Sequence, residues 1–403
     1  MRNIVSPLDG IPSPFGGRRF DPRALFGRAE PGIWLDPSDL STMFQTRLGS
    51  TPVTAAGQSV GLILDKSQGL VLGPDLITNG SFDNGTASWA SGASFTSTAA
   101  VVGGEMQVTP VADFGRQLQT LTLVAGRTYR ITGSLRRVSG ASVNGAYVAV
   151  GYNSQGDSLV IATSSSAVAA SFSAVFVPTH ATVNISLVAR TGNVGGFDNI
   201  VVRELAGRHA TQATAASRPT YQVDASGRGY LSFDGVDDFL VTPTITPGTD
   251  KVQMFAGVRK LSDAAQGVVA ELSASTAANN GSFLLAAPDG ASATFAFDSK
   301  GTTQTDAVAT GQTAPLTAVL TGLGDISGDS AILRVNGAVA DTDTGDQGTG
   351  NYLAYPIYIG RRGGTTLPFN GRVYGLIARF GANLEDRTIA GVERWMNAKT
   401  GAF

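Results

Sequence analysis

The chain has 403 residues, 29 Lys and Arg against 31 Asp and Glu, a formal net charge of -2 and only 15% charged residues. That balance excludes a broad basic face for nucleic acid and disfavours electrostatic attachment to a membrane. Cysteine is absent, which excludes disulfides, thiolate nucleophiles and cysteine-ligated metals.

Residues 1–28 stand apart. Pro7, Pro12, Pro14 and Pro22 alternate with Gly10, Gly16 and Gly17. Prolines at this density preclude a regular helix or a central strand. A solvated tail and an extended arm docked on a partner are both open. The arm reading rests on apolar beads that a solvated tail does not need. Its expected contacts are Ile4, Pro7, Ile11, Pro14, Phe15, Arg18, Arg19 and Phe20.

From residue 29 to 70 the chain opens a globular unit. Ile33-Trp34-Leu35 and Val60-Gly61-Leu62-Ile63-Leu64 read as strands, and Asp36-Pro37-Ser38-Asp39-Leu40 as a turn. Asp or Ser caps such a turn and Pro suits its start. The piece is too small to bury a core alone, so its partners lie elsewhere.

Residues 71–206 interrupt that unit. Alternation over Gln117–Val124, Tyr129–Leu135, Tyr147–Tyr152 and Val183–Val188, with Gly, Asn and Ser between, predicts an antiparallel sandwich. The first unit resumes at 207–403. Its strands include Tyr230–Phe233, Lys251–Val258, Leu316–Leu320, Ala331–Val335 and Val373–Ala378. Asn336-Gly337 predicts a two-residue hairpin. A C-terminal helix is expected, capped by Asn383, with Leu384, Ile389, Val392, Trp395 and Met396 inward and Gly401 at its end. The expected fold class is therefore all-β: two jelly-roll sandwiches, one inserted in the other, with an N-terminal arm and a short C-terminal helix.

The inserted unit resembles carbohydrate-binding modules of the four/nine family type. The likeness rests on Asn79-Gly80-Ser81-Phe82-Asp83 with Trp89, on Gly104-Glu105-Met106-Gln107-Val108, and on Phe197-Asp198-Asn199-Ile200. It implies a structural calcium held by the Ser81 carbonyl and by Asp83, Glu105 and Asp198. Such a set offers the hard oxygens calcium prefers. The alternative is that Asp83 and Asp198 cap turns. The host unit resembles concanavalin A-like and laminin G-like lectin domains, through Phe233-Asp234-Gly235-Val236-Asp237-Asp238-Phe239, Arg334–Gly337 and Ile357–Arg362. In that likeness Asp234 and Asp237 are turn formers rather than metal ligands. Ser6–Phe15 and Trp34–Phe44 resemble phage or gene-transfer-particle surface proteins. Met1–Pro7 has no apolar signal-peptide core and no apolar run of about 18 residues is present, in keeping with a virion-surface protein made in the cytoplasm.

No Glu-x-Asp-x-x-Glu strand or phosphate loop occurs, and His180 and His209 sit in unrelated segments. A non-enzymatic binder is the expected class. Sugars are held by aromatic faces and by polar side chains on their hydroxyls. The candidate ligand residues are Tyr152 with Arg116, then Tyr147, Asn153 and Gln155. Tyr147 and Tyr152 differ by an odd number and so face opposite ways on a regular strand. Tyr352, Tyr355, Arg361 and Arg362 are expected near a loop rim. The expected partners are host cell-surface polysaccharide and other virion proteins, with self-association raising weak affinities, and neither nucleic acid nor membrane insertion. A purely architectural decoration protein and a polysaccharide-degrading enzyme are the alternatives.

Overall fold

The computed structural model describes residues 20–49, 51–152 and 159–403. The anchor residues Ile4, Pro7, Ile11, Pro14, Phe15, Arg18 and Arg19, and the ligand residues Asn153 and Gln155, lie outside the described residues.

The host unit is a sandwich of an eight-stranded and a nine-stranded antiparallel sheet. The early strand Gly32–Leu35 pairs with residues 376–379 of the late strand Asn370–Phe380, while Gly229–Asp234 pairs with residues 370–373 of the same strand. Chain segments on both sides of the insertion thus complete one sheet. Ile33, Leu35, Phe233, Met254, Phe283, Phe297 and Phe380 fill the space between the sheets. The Asn336-Gly337 hairpin forms as expected, both residues having positive φ and Val335 standing opposite Ala338. That conformation is the one Asn-Gly tolerates best.

The helix Asp386–Thr400 packs Ile389, Val392 and Met396 on the outer face of the eight-stranded sheet, and Gly401 ends it in the left-handed conformation. Its N-cap is Glu385 rather than Asn383, whose amide instead donates to Asp325. Under this helix lie Phe20, Leu25 and Phe26, next to a single 3-10 turn at Pro22–Phe26. Phe20 is therefore part of the host core and not a free anchor contact. Residues 20–28, assigned to the arm from sequence, belong to the folded sandwich. The prolines that exclude a long helix there are compatible with one capped turn: Asp21 accepts the Arg23 N–H.

The insert is a sandwich of two five-stranded sheets. Phe82, Trp89, Met106, Tyr129, Phe176 and Phe197 form its core. The Asn79–Asp83 block is a loop built on Asn79, whose amide donates to the Gly85 and Ala87 carbonyls and accepts from Asn84 N. Trp89 Nε1 donates to the Asn79 carbonyl. Gly80 is obligatory, because any Cβ there would collide with the Ile200 carbonyl.

The two sandwiches meet where the insertion begins and ends. The buried Asp65 carboxylate accepts from the N–H groups of Trp34, Ser67 and Arg208 and from Ser67 Oγ, each at 2.8 Å. The Asp65 N–H donates to His209 Nδ1 at 2.8 Å, so the ring proton sits on Nε2 and goes to the Leu205 carbonyl. Phe44, Leu62 and Leu64 of the host pack with Val175 and Val177 of the insert and with Leu205 beside this knot.

Burial holds the His209 pKa below its ordinary value against the pull of Asp65. The unfolded chain therefore takes up a proton that the folded chain refuses, and His209 stabilises the fold fully only above pH of about 6.5. The prediction is a melting temperature contribution that is lost as pH falls below about 6.5 and is absent in His209→Gln. Asp238, raised to about 6 by burial and by Asp234, acts in the opposite direction between about pH 4 and 6. It is common to both proteins, so the difference between their melting curves isolates His209. Parallel curves refute the assignment.

Candidate functional site

The strand pairings gather side chains on the outer face of one sheet of the insert. Gly115–Thr122, Thr182–Ala189, Ala146–Gly151 and Leu159–Ser164 are neighbours there. Arg116, Val188, Tyr147 and Thr163 stand opposite one another in a row across these four strands. The next outward positions bring Leu118, Ser186 and Ala149 into line, then Thr120 and Asn184, joined by a 2.7 Å hydrogen bond.

Two phenylalanines flank the row. The Arg116 guanidinium lies 4.4 Å from the Phe95 ring centre, and Arg190 lies 5.0 Å from that of Phe114. Phe114 meets Tyr147 edge-on at 6.5 Å. Phe114 holds φ of +59°, a conformation costly for a bulky side chain and typical of functional loops. Asp113 fixes it by accepting from Thr191 N–H and Oγ1 at 3.0 and 3.1 Å. The Thr191 backbone bond holds the Asp113 carboxyl below its usual range. Rings with a quadrupole, guanidinia and neutral hydrogen-bonding groups on one sheet face are the means by which a sugar's C–H surface and hydroxyls are held.

This arrangement changes the ligand set expected from sequence. Tyr147 and Tyr152 do point to opposite faces. Tyr152 packs against the insert's core, its ring 4.8 Å from His180 and its hydroxyl near Thr179 N. It is therefore not paired with Arg116, which shares a face with Tyr147. Arg116 and Tyr147 are themselves only 3% and 7% exposed, so the half-exposed Phe114 and Phe95 present the accessible apolar surface. Phe95 and Arg190 escaped the sequence reading because nothing local marks a loop that folds back over a sheet edge.

The calcium set is not assembled. Glu105 is held by Arg136, whose Nε donates to both carboxylate oxygens at 2.9 and 3.1 Å, and by Gln107. Burial opposes its charge, but these bonds outweigh that and keep its pKa below the ordinary value. Asp198 accepts from the N–H and the amide of Asn199, and Asp83 accepts from Ser81 Oγ. A guanidinium occupies the cation's role at Glu105, and the two aspartates serve turns, so these residues do not fit calcium. Among the described residues the one close group of three acids is Asp234, Asp237 and Asp238. It is a turn, with Asp234 Oδ1 accepting from Val236 and Asp237 N–H. In the host rim, Tyr352 is a core residue, 1% exposed, with its hydroxyl 2.6 Å from Ser299 Oγ.

The outer face of the nine-stranded sheet carries a row the sequence did not reveal: Glu271, Leu284, Asp298 and Asp306 stand opposite one another on successive strands. Glu271 is fully buried and bridged by Arg362 at 2.9 and 3.1 Å and by Thr276. Asp298 is nearly buried, with Gln304 as its donor. Burial, then Asp306 and Asp289, push its carboxyl well above the usual range.

No protein-family model matches the chain, and no curated protein matches it. Among solved structures, a CBM4 structure shares 18% identity, covering 32% of this chain and 99% of its own, with a TM-score of 0.26. The CBM40 of Ruminococcus gnavus IT-sialidase shares 15%, covering 35% and 82%, at 0.28. The botulinum neurotoxin type G receptor-binding domain shares 10%, covering 47% of this chain and 49% of its own, at 0.33.

Asp298 supplies a test of the electrostatics. Its folded-state pKa lies above its unfolded value, so it costs stability increasingly as pH rises above about 4. Asp298→Asn is predicted to raise the melting temperature at pH 7 to 8, with the gain vanishing towards pH 4. A variant less stable at every pH contradicts the shift.

Proposed function

We propose that the chain is a non-enzymatic glycan-binding protein, and that the outer sheet face bearing Phe114, Arg116, Tyr147 and Arg190 holds the sugar. The observation that carries this reading is the strained Phe114, fixed by Asp113 and Thr191, with Arg190 over its ring and Tyr147 edge-on to it. Phe114 packs outside the main core of the insert, against the small outer-face cluster of Tyr147, Ala149 and Val188, and its ring stays half-exposed. Asn184, Thr120 and Ser186 supply donors and acceptors beside it. The ligand class is cell-surface polysaccharide, and the setting is the surface of a phage-like particle. That setting is supported by the likeness of residues 6–15 and 34–44 to particle surface proteins. Residues 1–19 would attach the chain to its particle, and several copies would add weak sites into useful avidity.

The burial of Arg116 and Tyr147 favours a second reading, in which the face is closed and the sandwiches decorate a particle without binding glycan.

The test is a screen of the full chain against cell-surface polysaccharides, followed by Phe114→Ala. The expected result is saturable binding that weakens about tenfold in the variant, the worth of roughly one aromatic contact, with melting temperature retained. Binding equal in both proteins removes this face from the site. No binding by the folded wild-type chain favours decoration.

A further inference from the structure

A crevice of about 380 Å³ runs along the seam between the two sandwiches. Arg127, Thr128 and Glu204 line it from the insert, Thr211 and Thr244 from the host, and Arg208 from the connection between them. Arg127 pairs with Glu204 at 2.8 Å on the exposed rim. Such a pair contributes little and exchanges readily. The Arg208 guanidinium has no ion pair or hydrogen bond among the described residues.

On the strands that lead into the crevice, Arg130 and Arg203 stand directly opposite each other, on the sheet face away from Tyr129 and Glu204. Like charges in that position destabilise a sheet. Neither guanidinium meets a carboxylate among the described residues, and Arg130 Nε is out of water without a partner. The crevice lining holds two arginines and one glutamate, a local charge of 2 − 1 = +1, in a chain whose net charge is -2. The unpaired Arg208 guanidinium and the readily exchanged Arg127 call for the same complement, an anion.

We propose that this seam binds the acidic groups, carboxylate or sulfate, of a negatively charged saccharide. The guanidinium fork matches such groups with two parallel hydrogen bonds. The ligand's acid would replace Glu204 on Arg127 and add the missing partner to Arg208. The hydroxyls of Thr211 and Thr244 and the amide of Gln68 are placed for sugar hydroxyls. No Phe, Tyr or Trp lines the crevice, so the stacking platform that single-stranded nucleic acid uses is lacking. The site is separate from the sheet face and does not rest on the function proposed for it.

The experiment measures binding of the full chain to polygalacturonate, dextran sulfate and neutral dextran at rising salt. Saturable, salt-weakened binding to either acidic polymer and none to dextran is expected, and the polymer that binds tells carboxylate from sulfate. Arg208→Gln combined with Arg127→Gln should lower affinity about tenfold or more. The melting temperature should hold, since the one ion pair lost, Arg127 with Glu204, is exposed and contributes little. Phe114→Ala should leave this binding intact, which separates it from the sheet-face site. The proposal is overturned by the absence of binding to both acidic polymers, by binding that survives the double substitution, by a fall in melting temperature marking the arginines as structural, or by equal displacement with oligo(dT).

Discussion

The arrangement of the molecule depends on one buried carboxylate. Asp65 is inaccessible to water and would be costly to bury without donors. It receives four, and they come from three separate pieces of chain: the first host strand through Trp34, the way into the insert through Ser67, and the way out through Arg208. His209 then ties the Asp65 backbone to the Leu205 carbonyl. An inserted domain on two loose connections would tumble against its host. Here the connections are bound to each other and to the host sheet, and the apolar cluster of Phe44, Leu62, Leu64, Val175, Val177 and Leu205 seals the contact.

Of the two candidate surfaces, one follows from that fixed joint. The Phe114 face belongs to the insert alone and is held by its own loop contacts, so its geometry is independent of the host. The arginine seam exists only because the sandwiches are locked together, since its walls come from both. A rigid junction turns an accidental gap into a surface of constant shape, which is what recognition of a saccharide requires.

Much of the fold was legible in the sequence. Period-two segments, the Asn-Gly hairpin and the Gly401 helix end are local signals with local causes, and each appears where expected. The discontinuous host was legible because residues 29–70 have too little apolar surface to stand alone. What failed was register and long-range pairing. In Gln117-Leu118-Gln119 the apolar residue faces outward and the glutamines inward, where Gln119 bonds the Thr78 N–H and the Thr78 and Ser88 carbonyls. Those amides serve loops some thirty to forty residues distant, so the strand pattern alone does not disclose them. The same limit misassigned the ligand pair: parity separated Tyr147 from Tyr152, but only the strand pairing shows which of them shares a face with Arg116. Glu105 was read as a metal ligand because its arginine lies 31 positions away. Phe20 was read as an anchor because its helix lies at the other end of the chain.

The most direct test of the account is hydrogen–deuterium exchange of the full chain with and without a neutral polysaccharide that binds it. The account predicts protection concentrated in Gly115–Thr122, Ala146–Gly151 and Thr182–Ala189 and in the turn at Asp113 and Phe114, with the host sandwich unchanged. Protection confined to the host sandwich, or to the opposite sheet of the insert, would contradict it.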